Sequence, residues 1–126
     1  MYPPELRYSK EHEWVRVKDG VAAVGITSYA QEELGDVVFV QLPEVGSRVT
    51  QFEPMGVVES VKAASDLFAP VSGKVVSVNQ QLFDHPELVN KDPYGEGWMI
   101  EVELADAREL DKLLTSEEYE QSLSGK

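Results

Sequence analysis

One lysine in the middle of the chain, Lys62, stands apart from the other basic residues. It lies in the stretch VVESVKAASDLFAP, and it is the only basic residue from Val49 through Gly73. Its immediate neighbours, Val61 and Ala63, are too small to shield an amine. A primary amine that protrudes alone can be selected by a modifying enzyme from among the seven lysines of the chain. These residue types therefore predict covalent acylation of Lys62, with formation of an amide.

Acidic residues flank the lysine on both sides, Glu59 before it and Asp66 after it. They give a docking enzyme a fixed electrostatic pattern to read. The plainer alternative is that an isolated lysine near a strand end only keeps an edge or turn soluble. The regular flanking segments favour acylation, because they place Lys62 near the midpoint of a predicted hairpin.

Residues for other kinds of chemistry are scarce. The chain has no cysteine, which excludes disulfides, thiol nucleophiles and thiolate metal sites. His12 and His85 have no neighbour at metal-ligand spacing, so we expect a hydrogen-bonded structural role for His12 and a solvated loop for His85. No phosphate loop, dinucleotide fingerprint or nucleophile elbow occurs. We therefore predict no catalytic residue, no metal site and no enzymatic activity of its own.

The formal net charge of the 126 residues is −12, and the pI is about 4.5. A surface this negative repels phosphate backbones and anionic lipids, which argues against nucleic-acid or membrane binding. The first residues lack the apolar core of a secretory signal, and no run approaches the roughly 20 apolar residues of a membrane helix. We expect a cytoplasmic monomer that binds partners with basic surfaces.

Short strands must position the lysine. Asp19-Gly20 predicts a type I′ hairpin turn, and the continuous apolar run Val37–Gln41 predicts a buried strand. The segments MGVVESV and SDLFAP flank Lys62 as the two arms of a hairpin. Many short strands separated by turn signals indicate a small, mainly β sandwich or barrel.

Helices are predicted only at the periphery. Thr27 and Gly35 predict the two ends of a short helix over SYAQEEL. Asp106 and Ser116 are predicted N-caps of two helices after about residue 105. The stretch QQLFDHPELVNKDPYGEG is expected to be a loop.

The residues around the lysine resemble a known family. The segment ESVKAASDLFAPVSGKVVSVN resembles the attachment segment of the glycine cleavage system H proteins. KEHEWV, GITSYAQEELGDVVFVQLPEVG and PYGEGWMIEVEL resemble other segments of that family, in the same order. The resemblance spans nearly the whole chain. It therefore implies a single lipoyl-carrier domain over residues 1–126, with a core at about 12–104 and C-terminal helices at about 105–124.

The resemblance implies a fold, a cofactor and partners. The fold is a lipoyl-domain-like flattened β-barrel or sandwich of two small sheets, the barrel-sandwich hybrid, with peripheral and C-terminal helices. The cofactor is lipoic acid in amide linkage to Lys62, attached by a lipoate-attaching enzyme. The lipoyl group carries an aminomethyl group from a pyridoxal-phosphate glycine decarboxylase to a tetrahydrofolate-dependent aminomethyltransferase. An FAD-containing dihydrolipoyl dehydrogenase then reoxidises the lipoyl group. The chemistry therefore belongs to the cofactor, and the implied pathway is glycine catabolism in one-carbon metabolism.

The resemblance also suggests roles for residues near the lysine. The recognition motif is Glu59, Ser60, Val61, Ala63 and Asp66. The family's loaded arm folds back into a cleft, and Glu13 and Asp66 are our candidates for its acids.

Three alternatives remain open from the sequence. The chain could be a relay donor that passes lipoate to other proteins, a lipoyl or biotinyl domain of another multienzyme system, or an enzyme. Biotinyl segments usually place Met on both sides of the lysine, whereas Val61 and Ala63 stand here. Domains of oxo-acid dehydrogenases usually have Asp before the lysine and sit on long linkers, whereas here Val61 precedes Lys62 and no such linker is seen.

Overall fold

Two antiparallel sheets make up most of the computed structural model, which describes residues 2–124. The strands are β1 (Arg7–Tyr8), β2 (Glu13–Lys18), β3 (Val21–Ile26), β4 (Val37–Gln41), β5 (Arg48–Val49), β6 (Pro54–Ser60), β7 (Ala64–Phe68), β8 (Gly73–Val78) and β9 (Ile100–Leu104). One sheet has six strands in the order β1-β2-β3-β9-β8-β5, and the other has three in the order β4-β6-β7. In residues 2–124 neither sheet closes into a barrel, so the predicted mainly β sandwich is confirmed and the barrel alternative does not apply.

The main core lies between the two sheets. Val24, Val75 and Val102 of the larger sheet belong to the same buried cluster as Val58 and Leu67 of the smaller one. Burial of apolar side chains from both sheets favours the sandwich, because each sheet has one face to remove from water. The smaller sheet is thereby fixed to the larger one, and with it the hairpin formed by β6 and β7.

Short helices cover the ends of the sandwich. They are α1 (Ser28–Leu34), α2 (Gln81–Asp84), α3 (Leu88–Lys91), a 3₁₀ helix (Ala107–Lys112) and α4 (Ser116–Ser124). The predicted ends of α1 are confirmed: the Thr27 side chain accepts from the Ala30 N–H, and Gly35 donates to the Gln31 carbonyl. Asp106 caps the 3₁₀ helix, as predicted.

The predicted turn between β2 and β3 is also confirmed. Asp19 and Gly20 have φ values of 53° and 79°. Both values are positive, as a type I′ turn requires, and Lys18 pairs directly with Val21.

Three predictions about individual segments are wrong. The run Val37–Gln41 is not fully buried, because β4 is an edge strand with a register shift between Val37 and Phe39, which leaves Val38 and Phe39 about half exposed. The expected loop after β8 contains α2 and α3, which place Leu82 and Val89 in the core.

The third error concerns the cap of the last helix. Ser116 is the first residue of α4, and the residue before it, Thr115, caps the helix. Thr115 Oγ1 accepts from the Glu118 N–H at 3.2 Å, and Glu118 Oε1 accepts from the Thr115 N–H at 2.9 Å. This reciprocal pair is a capping box. Ser116 instead lies buried at the start of the helix.

Candidate functional site

Lys62 lies at the tip of the hairpin between β6 and β7. The last registered pair is Glu59 with Ala64, so the tip comprises Ser60 to Ala63. The Ser60 hydroxyl accepts from the N–H groups of Lys62 and Ala63 at 3.3 and 3.2 Å, while the Ser60 N–H donates to the Ala63 carbonyl at 2.8 Å. A serine at this position therefore orders the tip, where no Asn-Gly or Asp-Gly pair is present.

The tip is fastened to the segment that joins α1 to β4. The Val61 N–H donates to the Asp36 carbonyl at 3.0 Å. Asn90 of α3 holds the same segment from the other side: its amide group donates to the Gly35 carbonyl at 2.8 Å, and its carbonyl oxygen accepts from the Val37 N–H at 2.8 Å. These hydrogen bonds hold the backbone of the hairpin tip in place, while the side chains of Val61, Lys62 and Ala63 are exposed.

The Lys62 side chain is exposed and passes close to Gly35. A Cβ atom at position 35 would lie 3.5 Å from Lys62 Cε, and Gly35 has φ 82°, a conformation that other residues adopt only with strain. Among residues 2–124 no carboxylate forms an ion pair with Lys62, since the ion pairs found there join Arg108 to Asp106 and His85 to Glu87. The amine is therefore accessible to a modifying enzyme.

A cleft of about 240 Å³ opens beside the hairpin, and we call it the hairpin cleft. Segment 11–13, α1 and β7 form its walls. Four carboxylate side chains line it, from Glu11, Glu13, Glu33 and Asp66. A cleft lined by these carboxylates suits a cationic group, because the opposite charge offsets the group's loss of hydration. Both predicted cleft acids, Glu13 and Asp66, are thus brought together here.

Glu13 forms the buried part of the hairpin cleft and is only 1% exposed. Its carboxyl group pairs with the Ser9 hydroxyl and accepts from the Phe68 N–H at 3.1 Å. Burial raises the pKa of Glu13 to about 8, and these hydrogen bonds oppose the shift only in part. Glu13 therefore carries a proton at neutral pH when the cleft holds no cation.

The remaining predicted motif residues surround Lys62 on the outer surface. Glu59, Ala63 and Asp66 are exposed, and Val61 is 71% exposed. Ser60 is half-buried, and its hydroxyl accepts from the Ala63 N–H within the turn. Val38 and Phe39 of the neighbouring strand add apolar surface next to the tip.

Sequence reasoning missed the residues that hold the walls of the hairpin cleft. His12 lines the cleft, and its Nδ1 lies 2.7 Å from the hydroxyl of Tyr119. The two residues are 107 positions apart, so no local pattern signals the contact. The expected hydrogen-bonded role of His12 is confirmed. His85 is exposed next to Glu87, as expected for a loop histidine.

Other kinds of site were also sought in the described part of the chain. Residues 2–124 contain no group of three or more histidine, aspartate or glutamate side chains placed to hold a metal ion. None of the helices within these residues has the length and apolar character to cross a membrane.

Comparison with known proteins adds to this geometry. The family model for the glycine cleavage H-protein matches residues 6–126. The glycine cleavage system H protein of Anoxybacillus flavithermus is 59% identical over 122 residues, which are 97% of this chain and 96% of that protein. The H protein of Brevibacillus brevis is 62% identical over 119 residues, 94% of each chain.

A solved structure agrees with the fold. The crystal structure of the glycine cleavage system H protein from Mycobacterium marinum superimposes with a TM-score of 0.91, at 44% identity, over 97% of this chain and 98% of that one. The fold and the exposed hairpin lysine define a small carrier domain built on two β-sheets. The chain belongs to the glycine cleavage H-protein family, whose members are carrier proteins of the glycine cleavage system.

The raised pKa of Glu13 predicts a pH-dependent stability. In the unfolded chain Glu13 ionises near 4.5, whereas in the folded protein it ionises near 8. The folded state therefore binds the extra proton, and the associated stability is lost as pH rises between these values. In urea unfolding, the free energy of unfolding of the wild type should fall by about 1.4 kcal/mol per pH unit relative to that of Glu13→Gln over this range. If the free energies of unfolding of the two proteins change in parallel with pH, the raised pKa is contradicted. Glu11→Gln, which changes an exposed acid of the same cleft, is the matched control.

The Asn90 contacts predict a local effect on the hairpin tip. Asn90→Asp replaces the donating amide with an oxygen that faces the Gly35 carbonyl. We expect faster amide exchange at Val61 and a loss of about 1–3 kcal/mol in the free energy of unfolding. Asn79→Asp is the control, because the Asn79 amide also donates to backbone carbonyls, those of Glu96 and Trp98, but none of its side-chain hydrogen bonds involves the segment that holds the tip. Equal acceleration of amide exchange at Val61 in both variants would show that the Asn90 contacts do not act locally on the tip.

Proposed function

We propose that this protein is the lipoyl-carrying shuttle of the glycine cleavage system, with lipoate attached to Lys62. One observation carries the proposal: an exposed lysine without an ion pair in residues 2–124 stands at the tip of an anchored hairpin, beside a cleft lined by four carboxylates. An isolated lysine on an unsupported loop would not present its amine in a defined place. Family membership supplies the reaction system in which the carrier works.

The residues at the tip fit a lipoyl group. Lys62 would hold it by an amide, and acylation would remove the charge of the ammonium, which eases entry of the arm into a less polar cleft. When attached, the lipoyl dithiolane accepts an aminomethyl group and delivers it to the next enzyme. The hairpin contributes a stiff base, so that docking orders the arm and little of the backbone.

The hairpin cleft would receive the cationic end of the loaded arm. Asp66 is exposed on β7 and Glu13 lies buried deeper in the cleft. Approach of an amine cation favours the ionised form of Glu13, which then gives up the proton that it holds in the free cleft. The pair would bind the cation and limit access of water to it.

The residues flanking Lys62 would serve recognition by the lipoate-attaching enzyme. Glu59 and Asp66 supply exposed negative charge on either side of the lysine, and Val61 supplies apolar surface. Ser60 fixes the turn, and the small side chain of Ala63 leaves the amine open. None of these residues would take part in bond making, since the protein is a substrate of its partner enzymes.

Glycine decarboxylase, the aminomethyltransferase and dihydrolipoyl dehydrogenase are the proposed partners. The net charge of −12 favours basic docking surfaces on them. We also propose that residues 1–126 form one non-catalytic carrier domain that acts as a monomer. The tether makes each transfer a docking event of one folded protein, which raises the effective concentration of the carried group.

Substitution of the lysine tests the attachment site. Lys62→Arg should fold as the wild type does but gain no lipoyl mass on coexpression with a lipoate ligase, because a guanidinium does not form the amide. Intact mass spectrometry with peptide mapping gives the result, and Lys74→Arg, an exposed lysine on β8, is the control. Lipoyl mass on the Lys62→Arg protein would refute the site. The lipoylated wild type, and not its unmodified form, should support glycine-dependent carbon dioxide exchange by the decarboxylase.

Removal of one flanking charge tests recognition. Glu59→Gln should lower kcat/KM for lipoylation by about five- to tenfold, the effect of losing roughly 1–1.4 kcal/mol of charge-assisted contact. Urea unfolding should change little, since Glu59 is exposed. Glu53→Gln removes an exposed acid before the same strand and should leave the rate unchanged. Equal rates for all three proteins would exclude a recognition role for Glu59.

A further inference from the structure

The last helix sends one side chain toward the hairpin cleft without lining it. Tyr119 of α4 is fully buried, and its ring stacks on Tyr8 with centroids 4.9 Å apart. Its hydroxyl lies 2.7 Å from His12 Nδ1 and 2.8 Å from Thr27 Oγ1. Burial raises the pKa of Tyr119, so this hydroxyl keeps its proton and acts as both a donor and an acceptor.

These two partners belong to opposite walls of the hairpin cleft. His12 lines the wall that precedes β2, next to Glu13. Thr27 caps α1, whose residues Tyr29 and Ala30 line the other wall. A backbone bond from the Thr27 N–H to the His12 carbonyl, 3.0 Å long, already joins the two segments. The Tyr119 hydroxyl adds the side-chain link between them.

The backbone at His12 has an unusual conformation. His12 has φ 75°, in the left-handed region that non-glycine residues seldom adopt. Its ring packs against Tyr29, with centroids 4.8 Å apart, and meets the edge of Tyr119 at 5.8 Å. The orientation of the imidazole therefore bears directly on Tyr29, a residue of the opposite wall.

We propose that Tyr119 is a positioning residue for the hairpin cleft: its hydroxyl holds His12 and Thr27, and so fixes the two walls between which the loaded Lys62 arm is protected. This inference rests on the proposed function, since it concerns the arm that Lys62 would carry. The C-terminal helix would then belong to the carrier's working site, in addition to supplying Tyr119 to the smaller core cluster, which consists of Leu6, Tyr8, Trp14 and Tyr119.

A pair of buried tyrosines provides a matched test. Tyr119→Phe and Tyr8→Phe each remove one hydroxyl from stacked rings, but the Tyr8 hydroxyl donates to the Pro3 carbonyl and has no contact with His12 or Thr27. The lipoylated proteins are loaded with the aminomethyl group and its hydrolysis is followed. Water then restores the thiol and releases formaldehyde and ammonium, with no change of oxidation state. Ammonia release from Tyr119→Phe should be at least about fivefold faster than from the wild type, since that is the factor expected for one of the two buried hydrogen bonds that the variant loses. Tyr8→Phe should release it at the wild-type rate.

A second measurement needs no cofactor. The ¹⁵N resonances of the His12 ring report its tautomer, and in unmodified Tyr119→Phe they should shift, while Tyr8→Phe and the conservative Thr27→Ser keep the wild-type pattern. Equal release rates for Tyr119→Phe and the wild type would overturn the proposal. So would equal acceleration in both tyrosine variants, because general destabilisation would then explain it. Wild-type release as fast as from the urea-unfolded loaded protein would instead refute protection by the cleft, and hence that part of the proposed function.

Discussion

A buried carboxyl group joins the two sheets at the place where the candidate site lies. Glu13 opens β2 of the six-stranded sheet, and it accepts from the N–H of Phe68 at the end of β7 in the three-stranded sheet. Its second oxygen pairs with Ser9. Burying a carboxyl is costly unless it is neutralised and hydrogen-bonded, and here both conditions hold at neutral pH. The same group that fastens the hairpin strand to the sandwich thus supplies a latent negative charge to the hairpin cleft.

This arrangement combines a hydrogen-bonded backbone at the hairpin tip with an exposed lysine side chain. The backbone at the hairpin tip is held by the Asp36 carbonyl, and the segment that contains Asp36 is held by Asn90. The Lys62 side chain is exposed and forms no ion pair within residues 2–124. A fixed base would keep the pattern of Glu59 and Asp66 constant for each of the proposed partners, whereas a mobile base would add the entropy cost of ordering the loop to each encounter.

The sequence predicted local features better than their surroundings, for physical reasons. The placement of Lys62 in a hairpin, the Asp19-Gly20 turn and the ends of α1 are governed by local rules of turn and cap chemistry, and these structural predictions hold. Acylation of Lys62 stays a prediction. The burial of Val38 and Phe39 depends on whether β4 is a central or an edge strand, which periodicity does not encode. The helices α2 and α3 are one turn each, too short to show an amphipathic period.

The residues of the hairpin cleft show the same limit of prediction from the sequence. Glu13 and Asp66 were identified through short motifs that resemble a family, and the structure brings both to one cleft. Tyr119 was not, because its partners His12 and Thr27 lie 107 and 92 positions away. The sequence did carry one relevant signal, a large aromatic residue in an acidic helix, because a tyrosine that buries its ring usually finds a partner for its hydroxyl. That partner is the wall of the cleft, so the helix that closes the smaller core cluster also determines the shape of the space into which a carried cation would fold.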